Sequence, residues 1–380
     1  MNSRPERIWA ALLGIGVVIG AAGFAVSVIW VGPLRAWEAF LVNLLFWTGV
    51  AQGGVVMSAG LYICQARWGG AGLYRLAEAA AGFLPIGFVL YWVLFAGRYW
   101  IFPWLTHPIP AKTPYLNIPF LFARDGAGLL TMWLLSWTFI RFSRRPEAIA
   151  WAEDYESLDE APPGVRRLAP VLIICYVLVY SVLAIDLVMS LSPQWYSTMF
   201  GAYFSFGAFL SGIIAMALWA AAGKRPARRD TAGERGGVLH DLGKLVFAGT
   251  TFWTYLLFSM YLVIWYGDIP KTTFFVAVRV NYAPWGILGW TALCLIWVVP
   301  FFLLLTRPAK KTPAILGVVS FGSLVGFWLE RYVLVTPSLS PHRIPFGWIE
   351  VVVTIGFFGA FGLASLSGLR RVVPAEAPGG

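Results

Sequence analysis

Apolar runs, each about 20 residues or longer and each closed by a polar break, fill this chain from near its start to near its end. A helix rising about 1.5 Å per residue needs roughly 20 such residues to cross the hydrocarbon core of a bilayer. The runs lie near 8–31, 36–65, 74–104, 117–142, 168–191, 195–222, 241–266, 282–306, 312–335 and 346–369. Within hydrocarbon no water can satisfy the backbone, and a helix meets all its N–H and C=O groups internally. The pattern predicts an all-α polytopic membrane protein of about ten transmembrane helices. Composition excludes a water-soluble fold, since 59% of residues are hydrophobic and 12% charged, where soluble domains carry roughly 25% charged residues. The first run is long enough to span and lacks a small-residue cleavage site at its end, so it reads as a retained helix rather than a signal peptide.

The formal charge of +10 is a matter of topology and not of nucleic-acid binding, because the cations flank the runs. With the N-terminus inside, the segments on that side hold roughly three times as many Lys and Arg residues as those outside, which predicts cytoplasmic N- and C-termini. A weak internal repeat also runs through the chain. Asp186 follows Pro170 by sixteen residues, and Glu330 follows Pro313 by seventeen. The third and seventh runs carry polar groups near their inner starts, Glu78 in one and Asp241 with Lys244 in the other. Tyr115-Leu-Asn117 precedes the fourth run as Val280-Asn281-Tyr282 precedes the eighth. The expectation is one membrane domain, 1–380, of two four-helix bundles. Spans 2–5 (about 36–191) form one and spans 6–9 (about 195–335) the other, with flanking helices near 8–31 and 346–369.

An ionisable side chain within a span costs several kcal/mol and is a functional candidate by default. Glu78, Asp241 and Lys244, with His240 beside them, fall toward the inner face. Asp186, Glu330 and Arg331 fall toward the outer face, as do Glu38, Arg124, Asp125 and Glu350. Asp186 and Glu330 sit roughly 7–8 Å inside the ends of their helices, too deep for free solvation. Each needs an Arg or Lys partner, a water-filled pocket, or a bound proton. Buried carboxyls with access to water are what a proton relay uses, and the two sets read as half-channels that do not obviously meet. A structural reading stands beside this one. Asp241 and Lys244 lie on one helix face and can pair, while His240, Asp241 and Glu350 are near enough to helix ends to cap or snorkel. Glu330 and Arg331 are consecutive, point to different faces and are expected to find separate partners.

Cys64, Cys175 and Cys294 lie far apart, with no CxxC, no CxxCH and no Cys/His cluster. Iron–sulfur, zinc and covalent haem sites are therefore not expected. His107, His240 and His342 sit in loops or at span edges, so a bis-histidine haem b is not expected either. A quinone headgroup needs one or two hydrogen-bonding side chains in an apolar cleft. His107, Tyr115, Asn117, Arg124 and Asp125 form the candidate set for it on the outer side.

Four stretches resemble the ActF component of alternative complex III, one of the NrfD/PsrC-like integral membrane subunits. They are His240-Asp-Leu-Gly-Lys-Leu-Val-Phe247 running on to Trp265-Tyr266, Asp186 through Gly201, Tyr115-Leu-Asn-Ile-Pro-Phe120, and Trp328-Leu-Glu-Arg-Tyr332. The chain departs from that pattern at Leu187, Met260, Gly267-Asp268 and Lys271-Thr272. The resemblance implies a multi-pass protein of a bacterial cytoplasmic membrane, within a respiratory or photosynthetic quinol-oxidising complex. Implied partners are a sister NrfD-like subunit, an iron–sulfur subunit, cytochrome c subunits and small membrane subunits. The chain would bind no redox cofactor of its own, with quinol, menaquinol or lipid at its membrane face. It would not be catalytic by itself. It would carry protons through Glu78, His240, Asp241 and Lys244 on one side and Asp186, Glu330 and Arg331 on the other. The alternatives are quinol oxidation at the His107–Asp125 set and a purely structural anchor for peripheral redox subunits.

Overall fold

The computed structural model describes residues 4–66, 68–153, 160–223, 235–281 and 283–369. Arg67, Lys224, Arg225, Arg228, Arg229, Tyr282, Arg370 and Arg371, which entered the charge and repeat readings, lie outside the described residues. The described chain is helical, with no strand among the described residues, and 10 of its helices are long and apolar enough to cross a membrane. In order these are span 1 (Glu6–Val31), span 2 (Pro33–Ile63), span 3 (Gly70–Ile101), span 4 (Ile118–Ser143) and span 5 (Pro163–Leu191). Span 6 (Phe200–Ala221), span 7 (Gly237–Gly267), span 8 (Trp285–Leu303), span 9 (Pro313–Leu339) and span 10 (Trp348–Leu369) complete the set. The fold class expected from the apolar runs is the one observed.

Local chemistry sets the ends of these helices. Pro33, Pro119, Pro163 and Pro313 occupy first-turn positions, where a missing N–H costs nothing and φ is already set. Asn117 caps span 4 by accepting a 3.0 Å hydrogen bond from Phe120 N. Span 3 is not one continuous α-helix. It breaks into a 3-10 stretch at Ala79–Phe83, just after Glu78 and before Pro85. Span 8 contains a π-turn at Cys294–Val298 ahead of Pro300, and the Leu295 carbonyl there accepts from Ser323 Oγ at 3.2 Å. A proline frees a carbonyl one turn back, and a neighbouring hydroxyl is the usual remedy inside a membrane.

Span 2 is the centre of the assembly. It packs on spans 3, 5, 6, 9 and 10, and nearly all of its side chains are buried. Span 4 packs on spans 3 and 5, while span 6 packs on spans 5, 7 and 9. Span 8 lies against span 9. Span 10 covers spans 2 and 3, and span 1 packs on span 10. Glycine permits that last contact: a Cβ on Gly20 would collide with Gly356 Cα. Small residues that let two backbones approach are the usual glue between helices in lipid. Gly16 neighbours Ile355 while Gly359 neighbours Leu13, so spans 1 and 10 run antiparallel. Both described ends therefore share one face, called the terminal face below.

Candidate functional site

The outer carboxyls lie on the face opposite the termini, and the structure gathers them into three clusters. In the first, Arg124 of span 4 forms a bidentate ion pair with the fully buried Asp186 of span 5. Nη2 donates to Oδ1 at 2.5 Å and Nε donates to Oδ2. Two parallel N–H···O bonds to one carboxylate hold both distance and orientation. Arg124 also donates to the Tyr115 carbonyl at 3.2 Å, and its guanidinium lies 3.7 Å from the centroid of the Tyr115 ring. Burial, and then the neighbouring Asp186 charge, push the Tyr115 phenol up to about 12, so it stays protonated at neutral pH. Asp125 completes the cluster. Its carboxyl is 1% exposed and neighbours that of Asp186, and neither of its oxygens accepts a hydrogen bond from a described group. Two carboxyls thus face one guanidinium, and the second requires a proton or a water molecule.

The second cluster joins spans 6 and 9. Tyr203 donates to Glu330 Oε1 at 2.7 Å, and Arg331 Nη1 donates to the same oxygen at 3.2 Å. Arg331 Nη2 reaches the Phe204 carbonyl, and the guanidinium lies 3.8 Å from the Phe204 ring centroid. Glu330 Oε2 is 2.9 Å from Arg331 Nη1 but lies outside hydrogen-bond geometry. This corrects the sequence expectation for the pair. Consecutive residues on a helix leave it in different directions, yet the long arginine side chain bends back to its neighbour, the acid its flexible chain can reach. The third cluster holds Glu350, which pairs with Arg35 through Oε1 and Oε2 at 2.6 Å each and caps its own helix through Gly347 N. Glu38 beside it takes a hydrogen bond from Ser340 and, among the described residues, from no other group.

Near the terminal face, Glu78 is buried at the break in span 3. Ser58 Oγ donates to it at 3.1 Å, and Arg144 Nε lies 3.4 Å away. Asp241 and Lys244 pair with each other at 2.5 Å, with Lys244 55% exposed. They lie at the edge of the helix array, and His240 there has an unpartnered Nδ1. That geometry agrees with the structural reading of the pair, as an intrahelical contact.

Spans 2–5 hold a further set of polar side chains absent from the sequence reading. Gln52 donates to Ser136 at 2.9 Å, six residues or about 9 Å deeper than Ser58. One turn further along span 2, the Thr48 carbonyl accepts from Tyr180 at 3.0 Å. Thr48 packs against Gly87, where a Cβ would approach Thr48 Cγ2 to 2.5 Å. Tyr91, a turn beyond Gly87, is fully buried beside Asp125 and Asp186. The result is a line of buried polar groups from Glu78 through Ser58, Gln52–Ser136, Thr48–Tyr180 and Tyr91 to Asp125. Its sequence signal is modest: single polar residues at Gln52 and Ser58 within a long apolar run.

The quinone set divides. Tyr115, Arg124 and Asp125 share the first cluster, whereas Asn117 lines a separate cavity of about 400 Å³ with Arg98, Tyr99 and Trp104. His107 is exposed in the loop before span 4 and meets Thr106. Among the described residues, no group of three or more His, Cys, Asp and Glu side chains is arranged to hold a metal ion.

Compared with known families, residues 6–340 match the family described as polysulphide reductase, NrfD. No curated protein is matched by the chain.

Proposed function

The chain belongs to the polysulphide reductase NrfD family, membrane-integral subunits of redox complexes that partner iron–sulfur and other redox subunits, and from that premise we propose that it carries protons in a quinol-oxidising complex. The complex is of the alternative complex III type and this chain takes the place of ActF, beside a sister NrfD-like subunit and cytochrome c subunits. The observation that supports this reading is the polar line within spans 2–5. It begins at a buried acid near the terminal face and ends at a carboxyl pair on the opposite side. Structural ion pairs need no such line, and a protein gains nothing in stability from a buried carboxyl without a donor. Side-chain hydroxyls, an amide and intervening water can pass a proton along this route, with Glu78 and Asp125 as its end stations.

The test replaces Glu78 by Gln and Asp125 by Asn in the intact complex, in vesicles. Electron transfer and proton release per electron are then measured together. The expected result is a fall in proton release per electron, down to the protons that quinol oxidation itself liberates, with electron transfer retained. If both quantities stay at the wild-type level in both variants, the chain is an anchor and the proposal fails. The cavity lined by Asn117 and Tyr99 favours a second reading, a quinol headgroup site near the outer face. Loss of quinol turnover in Asn117→Ala, with proton release per electron unchanged, would select it.

A further inference from the structure

A cleft of about 750 Å³ opens between spans 7, 8 and 9 in the half of the fold away from the termini. Its walls are aromatic and aliphatic, and Phe258 and Trp290 at its rim are exposed. In a bilayer that rim meets hydrocarbon, so the cleft opens sideways to lipid. Arg279, on the short helix Pro270–Val280, lines the cleft.

Arg279 is 6% exposed and has no carboxylate partner among the described residues. Its Nη1 donates to the Phe275 carbonyl at 2.8 Å. Its Nη2 donates to the Leu334 carbonyl at 2.8 Å and to Ser338 Oγ at 2.6 Å. These acceptors are neutral, and Nε has none. Burial alone pushes the guanidinium down to about 9, which leaves it charged at neutral pH. Trp253 and Trp297 also line the cleft, and their Nε1 groups are buried without an acceptor. The neighbouring acid, Glu330, is already paired with Arg331. The cleft thus combines a buried cation that has neutral acceptors and the Phe275 ring but no counter-charge among the described residues, apolar walls and a lateral opening. A buried cation without a counter-charge is among the costliest features a fold can hold.

We propose that this cleft is a binding site for an acidic phospholipid, with the phosphate on Arg279 and an acyl chain lying along Trp253, Trp290 and Trp297. A neutral quinone headgroup would leave the guanidinium charge unanswered. Free phosphate would answer the charge but leave the apolar walls empty. This inference does not depend on the proton path, which runs through other helices.

The test uses the complex purified in detergent and stripped of lipid. Phosphatidylglycerol, phosphatidylcholine, inorganic phosphate and a short-chain naphthoquinone are each added back, with thermal unfolding and native mass spectrometry as readouts. Phosphatidylglycerol is expected to bind and raise the unfolding temperature, and the other three are expected to do neither. In Arg279→Gln, phosphatidylglycerol should bind about fivefold more weakly, the change that one cationic contact to acidic lipid carries. Val276→Trp, which narrows the cleft and keeps Arg279, should weaken it as well. The proposal is overturned if phosphatidylcholine or inorganic phosphate acts as well as phosphatidylglycerol, or if the naphthoquinone displaces it. It is equally overturned if neither variant changes lipid retention. Should Arg279→Gln fail to fold, Val276→Trp and the wild-type lipid comparison decide the matter.

Discussion

Asp125 and Asp186 are neighbouring buried carboxyls, and the same isosteric change should affect them very differently. Asp186 accepts two hydrogen bonds from Arg124. Removing one partner of a fully buried pair costs about 3–5 kcal/mol, chiefly because the other charge is left stranded. Arg124 keeps 15% of its side-chain surface and retains Asp125 nearby, so Asp186→Asn belongs at or just below the low end, about 2–3 kcal/mol. Asp125 accepts nothing from a described group. An amide there removes no protein hydrogen bond and can itself donate to Asp186, so Asp125→Asn should stay within about 1 kcal/mol of wild type. The assay is unfolding of the purified protein in mixed detergent micelles, followed by tryptophan fluorescence. Arg124→Gln and the Arg124→Gln/Asp186→Asn double variant complete a thermodynamic cycle, with an expected coupling of about 1.5–3 kcal/mol. Equal costs at Asp125 and Asp186, or strict additivity in the cycle, would refute the assignment of Arg124 to Asp186.

Three other substitutions test separate parts of the structure. Gly356→Val places methyl groups where the Gly20 backbone already approaches. It should cost about 1–3 kcal/mol and loosen span 1 from span 10, measured as faster cleavage of the span 1–2 connection by a soluble protease. Gln52→Leu breaks the polar line at its middle and leaves Ser136 without its donor. Proton release per electron should fall while stability changes by no more than about 1–2 kcal/mol, and unchanged proton release would remove Gln52 from the path. Asn117→Ala deletes the cap of span 4 at an expected cost of about 0.5–2 kcal/mol in unfolding, with Asn117→Ser recovering most of it.

The apolar runs alone determined the all-α class and the ten spans, because hydrocarbon tolerates no unsatisfied backbone and a run of fixed length leaves few alternatives. They also singled out the carboxyls of Asp186, Glu330, Glu78 and Asp125, since a charge within such a run stands out against its background. The break in span 3 beside Glu78 is invisible at that level, as hydropathy does not register a 3-10 stretch. Partnership belonged to the tertiary structure. Arg124 meets Asp186 from a different helix, Tyr203 reaches Glu330 from 127 residues away, and Arg331 folds back on its own neighbour against the angular rule for consecutive helical residues. Gln52, Ser136 and Tyr180 look unremarkable in sequence, and Arg279 reads as one outer-loop cation among several. Their significance depends on which helix faces which. That is set by the close packing of glycines and aromatics across many spans at once, a property no single apolar run carries.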